Sequence, residues 1–302
     1  QFALSLINGS LNIEKRQVTI TSGSSTKIYD GSALTSREIS IGGDGFAEGE
    51  GASCIFTGSQ LIPGSSENTF SYTLNDGTDA EDYDIKTSFG TLTVTGRDAR
   101  YEITVRAQSG SEVYDGSAKG ISGLEEDEFI IDGHTYHVSG LTAGAAGLHA
   151  GTYASNVTGT PKVADEAGND VTDQFAVYTE NGKLDILKRE VTLTSIGAQK
   201  VYDGSELSVG SLISLGSLGS IYEAVIVGGD GFVSGDEAEY EFTGSRLTAG
   251  SAQNTFTYSL REDIREDYDI TVAYGSLTVI SRSGADRYEI TVKAEDGNAT
   301  YD

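Results

Sequence analysis

Three histidines, 46 acidic side chains and one cysteine make up most of the reactive inventory of this 302-residue chain. His134 and His137 stand three apart, a spacing that would turn two imidazoles to one side of a helix, as zinc requires. Aligning the repeats described below sets Tyr136 and Val138 on Cys54 and Phe56, which are strand positions. Residues three apart on a strand face opposite ways, so no zinc site is expected. The run Asn75-Asp-Gly-Thr-Asp-Ala-Glu-Asp82 could offer oxygens to calcium. It lacks the ordered spacing of a calcium loop, and its sister stretch Arg261 to Arg265 carries two arginines, so a solvated loop is expected. No serine, histidine and acid recur together, and paired acids carry no signal among so many. Lys27 and Lys200 stand before a turn, where a lysine–asparagine amide could lock a surface fibre. The middle copy has Glu112 there, and the expectation is a solvated strand lysine. Cys54, opposite Tyr240 in a sister repeat, reads as a small buried filler. These residues imply no enzyme, no cofactor and no metal.

What recurs is a turn. Lys27-Ile-Tyr29-Asp30-Gly31-Ser returns as Glu112-Val-Tyr114-Asp115-Gly116-Ser and as Lys200-Val-Tyr202-Asp203-Gly204-Ser, and a fourth copy begins at Ala299-Thr-Tyr301-Asp302. In each, Asp can hydrogen-bond its own backbone and Gly accepts a positive φ. Such a period marks a tandem array. An opening segment runs from Arg16, Arg100, Arg189 or Arg287 to its tyrosine, with constant spacing from Val18, Ile103, Val191 and Ile290, which suggests two strands across a short turn. A closing segment is an aromatic residue, a turn and a final alternating strand. Its turns are Asn8-Gly9, Phe89-Gly90, Asn181-Gly182 and Tyr274-Gly275, and Asn-Gly between alternating strands signals a hairpin. The array therefore divides into a closing hairpin at 1–15, three β modules at 16–95, 98–187 and 188–280, and opening strands at 286–302. Each module should hold six to eight short strands, and no segment sustains a 3.6-residue period.

A net charge of −26 repels phosphate and excludes nucleic acid as a partner, and it favours a monomer. Thirty-nine glycines against two prolines fit tight turns rather than a Pro-rich stalk. No apolar run is long enough to span a bilayer, so no membrane contact is expected of this segment. Eight basic residues (Lys15, Arg16, Arg97, Arg100, Lys188, Arg189, Arg282 and Arg287) mark the module junctions. Nearly every tyrosine falls where a sister module is aromatic, Tyr72 with Tyr258 among them, and reads as core. Tyr178 and Tyr222 are the exceptions.

The first and third modules share Gly-Gly-Asp-Gly-Phe (42–46, 228–232), Phe-Thr-Gly-Ser and Asn-Thr-Phe-x-Tyr, whereas the middle one carries Gly-Asn-Asp-Val-Thr at 168–172. The third module also has an insertion near 205–227 with Leu212, Leu215, Leu218 and Ile221 at every third position, followed by Tyr222. That spacing suits a short helical turn or a loop folded over the sheet, either as satellite core or as a partner-binding patch.

Together, Lys-Val-Tyr-Asp-Gly-Ser at the openers, Gly-Asn-Asp-Val-Thr and Gly-x-Leu-x-Val at the module ends resemble the Tyr-Asp-Gly and mostly-β-grasp (MBG-type) repeats of large bacterial surface proteins. The resemblance implies an all-β tandem array of small β-grasp-like modules forming a rod, with Ig-like β-sandwich modules as the alternative. It implies a non-enzymatic, extracellular spacer in an adhesin at the bacterial cell surface, attached through parts outside this chain. Its partners would be neighbouring modules. The alternatives are a ligand-binding array for host glycoprotein or glycan, and the stalk of a secreted carbohydrate-active enzyme.

Overall fold

A computed structural model describes residues 2, 5, 7–210, 213–214, 220–221 and 224–299. The protein is all-β. The only helices among the described residues are single 3-10 turns: Ala80–Asp82, Thr172–Gln174, Arg265–Asp267 and Gly284–Asp286. Asp79 starts the first of them by accepting the Glu81 amide, so one acid of the supposed calcium run is a cap.

The first repeat shows the plan. Its opener is an alternating strand, Arg16–Ser22, that buries Val18 and Ile20 between polar threonines, then breaks and resumes as Ser25–Ile28. Its closer behaves the same way, as Tyr83–Ser88 and then Thr91–Thr95. Opener and closer run parallel through both parts, Val18 opposite Ile85 and Lys27 opposite Val94. Ile39–Gly43 adds an antiparallel edge to the first pair and Gly64–Glu67 to the second. Ala52–Phe56 and Phe70–Leu74 form a separate hairpin.

The two hairpins expected from sequence are therefore absent. Neither the opener's two strands nor the closer's two strands pair with each other; each passes from one small sheet to the next. At Gly90 a Cβ would sit 2.5 Å from the backbone of Ser22 and Gly23, so this glycine permits a crossing of two chains rather than a reversal. Asn181-Gly182 holds the same place, since Phe175–Glu180 pairs with Tyr101–Arg106 while Gly182–Leu187 pairs with Gly110–Val113. The expected hairpin at 1–15 does not form among the described residues, nor do the opening strands at 286–302.

Eight, ten and ten strands fall in the first, second and third repeats among the described residues, more than expected for the last two. The middle repeat gains strands Lys119–Ser122 with Gly144–Gly147, and the long strand His134–Thr142 joins Glu128–Ile131 to Thr158–Asp165. In the insertion, Ile213–Ser214 pairs antiparallel with Ser220–Ile221. Leu212, Leu215, Leu218 and Tyr222 lie outside the described residues.

Two compact units form, and they cut across the sequence period. The first comprises Gln1–Gln108, Gly123–Ala143 and Asn156–Asn181. Its larger core joins Tyr29, Leu92 and Val94 of the first repeat to Ile103, Val105, Tyr136, Val163 and Phe175 of the middle one. A second core, Val18, Ile20, Phe70 and Tyr83, lies within the first repeat, with Cys54 packed half-buried against it. The second unit comprises Ser109–Ser122, Gly144–Ser155 and Gly182–Asp302. Its main core joins Tyr114, Leu184 and Ile186 of the middle repeat to Val191, Leu193, Phe256 and Tyr268 of the third. A repeat is thus a sequence period, and the larger core of each unit joins the second opener–closer strand pair of one repeat to the first such pair of the next.

Candidate functional site at the Tyr-Asp-Gly joints

Gly31, Gly116 and Gly204 have φ of +84°, +78° and +84°. That left-handed turn lets Asp30, Asp115 and Asp203 each accept the amide and the hydroxyl of the serine two residues on. A lysine completes each cluster. Lys27 Nζ lies 2.6 Å from Asp30 Oδ1 and also donates to Ser32. Lys200 repeats this with Asp203 and Ser205. These side chains are only 20 % and 21 % exposed, so the lysines clamp the turn and are not solvated as expected. In the middle repeat Glu112 cannot serve, and Lys119 reaches Asp115 at 2.5 Å from the other side of the turn. Partial burial alone would raise the Asp30 carboxyl, but the Lys27 ammonium and the serine donors hold it at about 2. The lysine and serine donors likewise hold Asp115 and Asp203 well below the usual carboxylate range.

Behind the turn the tyrosine ring enters the core shared with the next repeat. In the second unit, Tyr114 Oη and Tyr268 Oη both donate to Asp236 Oδ2, at 3.3 and 2.7 Å, and Arg261 pairs with its Oδ1. Burial and the Asp236 charge push the Tyr114 phenol up to about 12. Beside this network the buried Asp267 accepts His149 Nδ1 at 2.8 Å and the Ala150 amide. The first unit solves the same joint differently. Tyr29 and Tyr136 are fully buried, and by distance and angle neither hydroxyl has a hydrogen-bond partner among the described residues. Burial pushes Tyr29 far above the ordinary phenol range. Next to them lies a hollow of ≈ 140 Å³ lined by Gly31, His134, Tyr136, Asp165 and Glu166.

The junction arginines, visible in sequence only as basic clusters, hold the joints from outside. Arg97 Nη1 donates to Tyr29 O, Arg189 Nη1 to Tyr114 O and Arg282 Nε to Tyr202 O. Also unforeseen were Ser22 and Asn68, both buried where opener and closer cross. The Ser22 hydroxyl donates to Asn68 O and accepts the Gly90 amide, and the Asn68 side chain donates to Gly23 O. Ser195, Asn254 and Gly275 repeat the arrangement.

Other candidates are scattered. His137 points to the opposite face from Tyr136 and Val138, and no group of three or more His, Cys, Asp or Glu able to hold a metal occurs among the described residues. Tyr72 and Tyr258, expected in the core, are more than a third exposed. Tyr258 lines a surface hollow of ≈ 380 Å³ with Leu260, Arg265, Tyr268 and Ile270. No protein-family model matches this chain, and no curated protein matches it.

Proposed function

We propose that the chain is a non-enzymatic spacer: a segment of an extracellular bacterial surface protein in which β-grasp-like repeats stack into a rigid rod that carries a binding tip. The observation behind this reading is the joint. Each compact unit joins a whole repeat to part of the middle one through a common core and an arginine fastening. Repeats that share cores with their neighbours resist bending where beads on a tether would not. Small-angle scattering tests it. A rod gives a maximum dimension far beyond that of a 302-residue globule, and a compact profile would refute the spacer reading.

A second reading, a ligand-binding array for host glycan or glycoprotein, draws support from the hollow beside Tyr258 and Arg265, an aromatic face next to a cation. A glycan and mucin screen decides it. Specific saturable binding that Tyr258→Ala abolishes establishes that function and displaces the pure spacer.

A further inference from the structure

A hollow of ≈ 610 Å³ opens on the first compact unit, between Ile62-Pro63 of the first repeat and two stretches of the middle one, 160–162 and 170–174. The same place in the second unit is shut. Gly151 pairs there with Ile186 as Gly64 pairs with Val94, so His149 and Ala150 stand where Ile62 and Pro63 do. Asp267, next to Tyr268, stands where Gln174 does next to Phe175. The Asp267 carboxylate pairs with His149 Nδ1 and accepts the Ala150 amide, and it is 1 % exposed. Proline has no amide and isoleucine no ring nitrogen, so the first unit cannot close in this way. Gln174 is left with half of its side chain in use. Its Oε1 accepts the Arg97 amide at 2.8 Å, which fixes the direction of the side-chain amide, and its Nε2 has no partner among the described residues. Gln174 is 6 % exposed, so the hollow has a buried, unused donor in its wall and a volume suited to a ligand.

The walls limit what can fill it. The Val163 amide donates to Thr172 Oγ1 and the Val163 carbonyl accepts the Val171 amide. Pro161 has no amide to offer, so the outer edge of strand Thr158–Asp165 is closed here to an added peptide strand. Side chains of both kinds remain. Gln174 and Lys162 are donors, and Asp170 and Asp173 are acceptors. The Thr172 hydroxyl and amide, with Lys162 beyond them, hold the Asp170 carboxyl below its usual range, so it stays ionised. Both prolines of the chain, Pro63 and Pro161, line the hollow and supply aliphatic surface. An anionic ligand would meet two carboxylates and a net charge of −26. An uncharged ligand that gives and takes hydrogen bonds along an aliphatic body satisfies every one of these groups. We infer that the hollow binds a short neutral oligosaccharide, with Gln174 Nε2 and Lys162 Nζ donating to its oxygens and Asp170 and Asp173 accepting from its hydroxyls. The site is separate from the hollow beside Tyr258, and it adds an activity to the spacer without displacing the rod.

Titration of the isotope-labelled intact chain with lactose, cellotriose, mannotriose and chitotriose, followed by NMR, reads the outcome. At least one of these sugars should move the Gln174 side-chain amide signal and saturate at millimolar concentration, as suits an open groove with few donors. Lys162→Met, at an exposed position, should weaken that sugar by about three- to tenfold, and so should Gln174→Glu. If Gln174→Glu does not fold, Lys162→Met decides alone. A Gln174 amide that none of the sugars moves overturns the proposal. So does saturable binding that Tyr258→Ala removes and Lys162→Met leaves intact, which assigns the glycan to the hollow of the second reading. Oligolysine that moves this signal where the sugars do not makes the groove a site for basic peptides and overturns it as well. None of these results touches the rod, which scattering measures separately.

Discussion

Ile103 and Leu184 both belong to the middle repeat by sequence, and both are buried, yet they pack in different compact units. Replacing either by alanine removes three carbons. At about 0.8 kcal/mol per buried carbon that is ~2.4 kcal/mol of transfer free energy. A partly relaxed cavity brings the cost to ~3–4 kcal/mol. For units of about 150 residues, 1 kcal/mol moves Tm by roughly 2–4 °C, so each substitution should lower one transition by roughly 6–16 °C. Ile103→Ala should weaken the unit that contains the whole first repeat, and Leu184→Ala the unit that contains the third. Differential scanning calorimetry resolves the transitions, and amide exchange on Arg16–Ser22 and on Arg189–Ser195 assigns them. If both substitutions lower one and the same transition, with faster exchange confined to 98–187, the middle repeat folds by itself and the shared-core argument fails.

Other consequences follow from the joints. Gly204→Ala meets only the backbone strain of a positive φ, ~1–2 kcal/mol, whereas Gly31→Ala also drives a Cβ into Tyr136 and should cost ~2–5 kcal/mol by chemical denaturation; equal losses would contradict the packing at Gly31. The Asp30 carboxyl at about 2 lies below its ordinary 3.8, so its contribution is present above pH 3.8 and lost as pH falls through about 2. Carboxyl NMR should show Lys27→Met raising this value, and an unchanged titration would dismiss the clamp. Tyr114 at about 12 ionises later folded than unfolded, where it is near 10, so stability falls as pH climbs from 10 towards 12. Asp236→Asn should bring the Tyr114 titration down in an ultraviolet pH scan; no movement would mean that burial alone sets it.

The turns were legible because their chemistry is local. Asp30, Gly31 and Ser32 need only one another, and the sequence prints them side by side three times. The strands were legible from alternation at Val18 and Ile20 or Leu92 and Val94. Partner choice was not, because alternation says which face is apolar and nothing about which chain lies alongside. An Asn-Gly step looks the same whether it reverses a hairpin or lets two strands cross, and the crossing at Gly90 shows only when Ser22 and Gly23 are placed against it. Likewise a repeat boundary read from recurrence cannot reveal that Tyr29 finds its core in residues more than a hundred positions downstream, such as Tyr136. Tyr72 misled for the converse reason: repetition at one position is as compatible with an outward strand face as with a core.

The junctions differ in length, and the arginine chemistry accounts for both lengths. Where Lys188-Arg189 joins two repeats directly, one guanidinium serves both sides. Its Nη1 holds Tyr114 O at the Tyr-Asp-Gly turn of one repeat, while Nε and Nη2 hold Gly231 O and Asp230 O in a loop of the next. Where a glycine-containing linker intervenes, the work is divided. Arg97 holds Tyr29 O and stacks 4.0 Å over the ring of Tyr101, which stands where Arg189 does, and the Tyr101 hydroxyl reaches Asp132 in the next repeat's loop. Arg282 over Tyr288 repeats the stack at 4.2 Å. A rigid fork or a planar cation on a ring is required in each case, and lysine supplies neither. The fastening is therefore kept while the linker varies, because it runs between the Tyr-Asp-Gly carbonyl and the opening loop and not along the linker itself.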